Sequence, residues 1–517
     1  MTIIIQGFSV KKDGNLFEVL KQNFPADLDK LFIVDNGGEN YSYRDTINLS
    51  ARFANYLTAL GLKQGDRVAV QVQKSPQALM VYLACLRAGL IYIPLNTGYQ
   101  FPELAYFFGD AKPSLVIGDP ASADALTKLA EQVGSRFETL SADGSGSLIT
   151  NAAAAAAAAA VDFSTVSCDE NNLAAILYTS GTTGRPKGAM LSHKNLSSNA
   201  LVLKELWGWT EDDVLLHALP IFHVHGLFVA CHCVLAAGAS MIFLPAFNPQ
   251  SVMEKLPLAT VMMGVPTFYT RLLADKNFTA TQCETMRLFI SGSAPLLEET
   301  HRQFALRTGH TILERYGMSE TSMQVSNPLE GERRAGTVGF PLPGVDVRLV
   351  DRNNCAVAAG NIGSIQVKGP NVFEGYWKMP EKTAEEFTED GYFITGDQGR
   401  MSSDGYISIV GRAKDMVITG GYNVYPKEVE LVIDSIIGVS ECAVFGVADK
   451  DFGEAVVAVI VSDGFSEPDP QSIINEAKTR LASYKIPKKI HFLDELPRNT
   501  MGKVQKKLLR DQFAESL

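Results

Sequence analysis

Apolar residues along the first part of the chain follow two alternating spacings. Positions 43–60 and 75–88 carry them at three- and four-residue intervals, which predicts helices, while Arg67-Val-Ala-Val-Gln-Val72 and Pro113-Ser-Leu-Val-Ile-Gly118 are short apolar runs that predict strands. Alternation of this kind implies an α/β unit with mainly parallel pairing. A second such unit is expected from Leu173 to about Pro328, with strands at 174–178, 214–218, 260–263 and 287–291. Between about Gly336 and Gly411 the pattern shortens to β pieces at 345–350, 364–368, 392–395 and 406–410, which predict a small β-rich subdomain. From Arg412 it changes again, to a helix near 426–436, strands near 441–447 and 455–461, a helix near 471–484 and a strand near 489–493. The expected fold is therefore α/β: a large N-terminal domain over 1–411, with mixed or parallel sheets flanked by helices, and a small, mobile α+β C-terminal domain over 412–517. Nine alanines at 152–160 are the low-complexity segment; they favour helix or bridge two subdomains, and no function is assigned to them.

The totals narrow the class. A chain of 517 residues with 46% hydrophobic and 20% charged content suits a soluble multi-domain enzyme rather than one core. Its net charge of −11 argues against a nucleic-acid surface and against adhesion to anionic membranes. Seven cysteines, an odd number, fit a reducing compartment better than a disulfide framework. Cys231-His232-Cys233 has no second ligand pair at zinc spacing and reads as a buried helix face. The apolar stretch 215–247 is broken by histidines and Pro220, so no membrane insertion is expected. Met1-Thr-Ile-Ile-Ile-Gln-Gly lacks the form of a signal peptide and Glu515-Ser-Leu517 is not the peroxisomal tripeptide, which leaves the cytoplasm as the expected location.

The chemistry concentrates in Thr179-Ser-Gly-Thr-Thr-Gly-Arg-Pro-Lys-Gly188, which puts four hydroxyls, three glycines and two cations on one loop. It follows an apolar strand and precedes a helical pattern with Ser192 as a candidate N-cap. Backbone N–H groups, hydroxyls and Lys187 can there converge on phosphate. It is not a Walker loop, because Lys187 precedes Gly188 and Pro186 interrupts the turn.

This loop resembles the phosphate-binding signature of the adenylate-forming superfamily of acyl-CoA synthetases, luciferases and peptide-synthetase adenylation domains. Further signatures follow in the family's order: Glu314-Arg-Tyr-Gly-Met-Ser-Glu-Thr321, Gly336-Thr-Val-Gly339, Tyr392-Phe-Ile-Thr-Gly-Asp397, Gly411-Arg-Ala-Lys-Asp415, Gly420-Gly-Tyr-Asn-Val-Tyr-Pro426 and Pro497-Arg-Asn-Thr-Met-Gly-Lys503. The resemblance implies a carboxylic acid activated by ATP, with pyrophosphate released, and then passed to CoA. Thr179, Ser180, Gly181, Thr182, Thr183, Gly184 and Lys187 would cradle the phosphates, and Thr182 and Glu320 would hold Mg²⁺. Gly292, Ser293, Ala294, Glu314, Arg315, Tyr316, Gly317, Met318 and Ser319 would line the nucleotide, with Tyr316 stacking near adenine. Asp397 and Arg412 would hold the ribose. Lys503, with Lys187 and His223, would be catalytic, and loss of its charge by acylation would be a possible means of regulation. Lys414 would be the pivot that swings Gly420, Gly421 and Tyr422 to a CoA channel.

Segments that line the acyl pocket in the family bring His223, Arg271 and Arg287 here, which suggests a substrate with a second carboxylate. Met263-Gly-Val-Pro-Thr-Phe-Tyr-Thr-Arg271 and Phe289-Ile-Ser-Gly-Ser-Ala-Pro-Leu296 resemble malonyl-CoA synthetases. That implies malonate as the acid and methylmalonate as a secondary one, Arg271 as the partner of the distal carboxylate, and Ser291, Gly292 and Met318 as the shape of the pocket. Arg287 serves equally as a second candidate or as half of a structural ion pair. The alternatives are a synthetase for another small, medium-chain or aromatic acid, a carrier-loading adenylation enzyme, a luciferase-like oxidase, or a nucleotide-binding protein without turnover.

Overall fold

A computed structural model describes residues 14–35, 39–156, 162–179, 186–420, 422–449, 451–464, 469–500 and 502–514. Two large sheets carry the first two-thirds of the chain. In one, six strands run in the order Arg136–Thr139, Leu115–Gly118, Arg67–Gln71, Ile91–Pro94, Leu173–Thr179 and Lys187–Ser192, parallel except at the last pair. In the other, the parallel centre is Leu313–Met318, Leu288–Ser291, Val261–Gly264, Val214–His217, Ser240–Phe243 and Leu31–Asp35, with antiparallel strands at both edges. Strands buried on both faces need continuous apolar runs, and that is why 214–217, 261–264 and 288–291 are legible as strands.

Helices start where the sequence supplies caps. Ser42 and Asp45 form a capping box on Tyr43–Ala59, Ser75 caps Pro76–Arg87, and Ser192 with Asn195 caps His193–Leu206. The alanine run is helical as far as Ala156 within Ser147–Ala156; positions 157–161 lie outside the described residues.

One local expectation is corrected. The candidate phosphate loop does not pass from strand straight to helix: Lys187–Ser192 is itself a strand that returns antiparallel along Leu173–Thr179, with Thr179 opposite Lys187. The loop is thus the tip of a hairpin whose two roots are fixed. Pro186 stands just before the returning ladder, where its missing N–H costs no pairing.

A four-stranded antiparallel sheet follows, Asp346–Val350, Ile362–Lys368, Phe393–Met401 and Ile407–Arg412. Beyond it lies a five-stranded sheet built on the long hairpin of Val439–Asp449 with Gly453–Ser462, flanked by the helices Pro426–Asp434, Pro470–Arg480 and Lys506–Phe513. It has its own apolar clusters, one around Val444, Val456 and Ile433 and another around Phe445, Val457 and Leu509. Among the described residues no helix is long and apolar enough to cross a membrane.

Candidate active site

The expected phosphate-binding positions Ser180, Gly181, Thr182, Thr183 and Gly184 lie outside the described residues, as does Gly421. The two roots of their hairpin are described. Lys187 Nζ lies 2.8 Å from Glu386 Oε1 and 4.0 Å from the centre of the Tyr376 ring. The Tyr376 hydroxyl donates to Glu386 Oε2 at 2.7 Å and lies 3.1 Å from Glu320 Oε1, so a single proton serves two carboxylates. Burial alone would raise the Glu386 carboxyl, but hydrogen bonds from Lys187 and Tyr376 outweigh it and hold the group below its ordinary range. Among the described residues Glu320 has no such cation at contact, and burial raises its carboxyl. A buried carboxylate short of positive charge suits Mg²⁺, which takes one or two protein carboxylates and completes its shell with phosphate oxygen and water. Among the described residues no group of three or more His, Cys, Asp or Glu gathers as a self-sufficient metal cage.

At the other end of the cleft Asp397, only 4% exposed, pairs with Arg412 Nε at 2.9 Å and accepts a hydrogen bond from the Tyr316 hydroxyl. Arg412 Nη1 also donates to the Thr395 carbonyl at 2.8 Å, so the guanidinium is held from two sides. Burial, reinforced by the Asp397 charge, keeps the Tyr316 phenol protonated far above its usual range. Gly317 is required where it stands, since a Cβ there would lie 2.0 Å from the Ser322 carbonyl at the start of the strand Ser322–Ser326. Met318 packs on the main apolar cluster.

Lys503 approaches this end from the terminal loop. Its side chain is exposed, and desolvation and the positive Arg412 lower its pKa while Asp397 opposes them. The loop is seated by Asn96 Nδ2, which donates to Thr500 Oγ1 at 3.2 Å, and by close approach to Thr267, 3.0 Å from where a Gly502 Cβ would stand. The structure therefore brings Arg412, Asp397 and Tyr316 together, with Lys503 within electrostatic reach of the first two. It does not bring Tyr422 to them: that ring is exposed and stacks on Tyr484 at 4.6 Å. Gly420 takes φ +55° in the turn before it, and Lys414 lies exposed in the short turn Ala413–Asp415.

A third cluster occupies the ends of the parallel strands, where Gly264, Ser291 and Glu314 fall side by side in register and His217 stands opposite Met263, one position earlier. His217 is taken up by Lys74 Nζ at 2.8 Å and the Gly226 carbonyl at 2.9 Å. His225 Nδ1 lies 3.2 Å from Ser293 Oγ, while His225 Nε2, His223 Nε2 and Ser291 Oγ are buried without partners among the described residues. Burial pushes His223 down to about 4 and His225 well below the usual imidazole range, so both are neutral near pH 7. Arg315 is 3% exposed, with Nε and Nη2 unpartnered among the described residues, and lies against Gly292, where a Cβ would come 2.3 Å from Cζ. Glu314 turns to the Leu296 N–H at 3.2 Å, and burial raises its carboxyl to about 8.

The two arginines expected at the acid do not join this cluster. Arg287 stands before the opposite end of its strand and forms a two-pronged pair with Asp213, 2.7 Å at each prong, so its guanidinium already has an anion. Arg271 is exposed in the last turn of Pro266–Ala274. Glu386, Tyr376 and Lys74, which sequence reasoning missed, reach the site from positions that carry no motif. Glu386 meets Lys187 across 199 positions.

Comparison with known proteins gives two family matches, AMP-binding enzyme over residues 20–377 and AMP-binding enzyme C-terminal domain over residues 428–503. The ATP-bound crystal structure of MatB from Rhodopseudomonas palustris is 52% identical, superposes with a TM-score of 0.95 and covers 98% of this chain and 99% of that chain. The apo form of the same protein superposes at 0.85. A malonate–CoA ligase of Arabidopsis thaliana is 35% identical over 96% of this chain and 89% of its own, and a feruloyl-CoA synthase of an Amycolatopsis species is 35% identical over 93% and 95%.

Proposed function

The chain belongs to the AMP-binding enzyme family, and on that premise we propose that it is an ATP-dependent malonate–CoA ligase. A malonate oxygen attacks the α-phosphorus of ATP, pyrophosphate leaves, and a malonyl-adenylate forms; the CoA thiol then attacks its carbonyl and AMP leaves. Both steps bring anions together, so the protein contributes charge and alignment rather than a nucleophile.

The observation that carries this reading is the Asp397–Arg412 pair together with a terminal loop seated against Asn96 and Thr267, which puts Lys503 within electrostatic reach of that pair. In the proposal Asp397 and Arg412 hold the ribose, Lys503 faces the reacting carboxylate and α-phosphate, and Lys187 meets the outer phosphates at the root of the hairpin. Mg²⁺, held at Glu320, would neutralise phosphate charge. His223, kept neutral, can donate or accept a proton-bearing contact at the acid. The chain beyond Lys414 moves as one unit about that residue, so that Gly420, Gly421 and Tyr422 replace Lys503 for the CoA step. Seven free cysteines, six of them buried, support a reducing, cytoplasmic location. Acylation of Lys503 would cancel its charge and stop adenylation.

The test is acid-dependent pyrophosphate release over malonate, methylmalonate, propionate, benzoate and ferulate, with the thioester identified by mass. Malonate is expected to give the highest kcat/KM and a malonyl-CoA product. A preference for ferulate or benzoate would overturn malonate in favour of an aromatic acid.

A further inference from the structure

Lys503 stands on a tight loop between Arg498 and Val504, which pair as an antiparallel bridge across its base. Asn499 closes the loop on itself: its N–H donates to the Lys503 carbonyl at 3.0 Å, its carbonyl accepts from the Gly502 N–H at 2.9 Å, and its side-chain oxygen accepts from the Lys503 N–H at 3.0 Å. Leu496 and Val504 pack on the apolar cluster of Phe445 and Val457, so both feet are rooted in the C-terminal sheet. A loop closed on itself can still tilt on its feet. One charge on a long side chain works on a reacting centre only if its backbone returns to the same place.

Two kinds of contact oppose the tilt. Asn96 and Thr267 stand against Thr500 and Gly502, but they belong to the large N-terminal part of the chain and act only while the two parts are together. Arg498 acts from within the moving unit. Its Nη1 donates across the loop to the carbonyl of Gly502, the residue before Lys503, at 2.6 Å, and its Nη2 pairs with Glu441 on the strand Val439–Asp449. A planar fork can hold two acceptors in one fixed geometry, which a point charge cannot. With side-chain exposures of 29% and 25% the ion pair adds little to stability, so its effect is on where the loop points.

We propose that Arg498, anchored by Glu441, is a positioning residue that keeps the Lys503 loop in its adenylating shape throughout the swing of the C-terminal unit. The inference rests on the proposed role of Lys503 and on the motion about Lys414, and it holds whichever acid is activated. Both partners of the pair lie beyond Lys414, so the brace travels with the loop. When the unit leaves Asn96 and Thr267 for the CoA step, the loop is still tied to Glu441, and Lys503 comes back ready for the next acid. Without the brace, the loop would have to be ordered anew by Asn96 and Thr267 at every return. That ordering falls on adenylation alone, because Lys503 is away from the site during thioester formation.

The experiment compares wild type with Arg498→Met, Arg498→Lys, Lys503→Ala and the double variant Arg498→Met/Lys503→Ala, using the acid of highest kcat/KM. The readouts are adenylate formation by rapid-quench pyrophosphate release, thioester formation from supplied acyl-adenylate and CoA, and the Kd of ATP with Mg²⁺. Arg498→Met should slow adenylation at least about 10-fold, since a misplacement of about 1 Å can lower a rate by as much as about 100-fold. Thioester formation and ATP affinity should stay as in wild type. Arg498→Lys, which keeps the charge opposite Glu441 and loses the fork, should recover part of the rate. In the Lys503→Ala background Arg498→Met should have no further effect, because residues that act through one group do not add. An unchanged adenylation rate in Arg498→Met, equal loss in both half-reactions, or a second full loss on top of Lys503→Ala would each overturn the inference. If Arg498→Met fails to fold, Glu441→Gln loosens the same arginine from its anchor, and an unchanged adenylation rate there overturns it equally. Lys503→Ala that adenylates at the wild-type rate would refute the role of Lys503 itself, whereas loss in Lys503→Ala beside a normal Arg498→Met keeps that role and removes Arg498.

Discussion

Replacing Glu386 by glutamine should tighten ATP binding, although it removes an ion pair from the site. The pair is short, 2.8 Å, with side-chain exposures of 12% for Lys187 and 21% for Glu386. Exposed pairs are worth about 0–1 kcal/mol, and removing one partner of a fully buried pair costs about 3–5 kcal/mol. At these exposures a loss of about 2 kcal/mol is the reasonable middle, softened by the Tyr376 ring 4.0 Å from the ammonium. That loss falls on the empty enzyme, where Lys187 would have no anion. In the complex a phosphate supplies one, so the difference appears as affinity, and about 2 kcal/mol corresponds to about 30-fold in Kd. Calorimetric titration of ATP with Mg²⁺ into wild type and Glu386→Gln measures it. Lys187→Met serves as the control in which Glu386→Gln should change nothing. Equal or weaker ATP binding in Glu386→Gln, with Lys187 present, would refute the reasoning that the two anions exchange on one lysine.

Lys503→Ala should reduce adenylate formation by at least about 100-fold, the usual loss for one aligned charge at a developing anion. Thioester formation from supplied malonyl-adenylate should survive, and equal loss of both half-reactions would contradict the division of labour. Glu314→Gln tests the buried carboxyl. Its pKa stands at about 8 against an ordinary 4.5, so folding favours the protonated form. The stability this supplies is complete below pH 4.5 and is lost as pH rises towards 8, a change of about 3 kcal/mol by pH 7 at 1.36 kcal/mol per unit. Glutamine keeps the neutral form at every pH. The wild-type unfolding midpoint should therefore fall relative to that of the variant between pH 5 and 7.5, and parallel curves would count against the raised pKa.

What the sequence revealed was local. Strands 214–217, 261–264 and 288–291 were legible because burial on both faces demands an unbroken apolar run, and Ser192 because a cap is a side chain acting on its own helix. The return strand Lys187–Ser192 was not, since Pro186 and Gly188 mask its β character and its partner is the strand already counted. Pairing choices were also hidden. Nothing in Arg287 announces Asp213, and nothing in Lys187 announces Glu386, because an ion pair is a property of the fold. Arg315 was visible only as part of a nucleotide signature. Its burial, with Nε and Nη2 unpartnered among the described residues, is a property that no spacing rule records.

Arg412 ends the last strand of the four-stranded sheet, two positions ahead of Lys414, and its partner Asp397 lies on the strand beside it. On the proposed anatomy, the sugar is clasped by the final stationary link of the polypeptide before the joint. Everything downstream can trade places while the adenosine stays moored, and the labile anhydride is kept from washing out between the two chemical strokes. AMP should accordingly be the last fragment to depart.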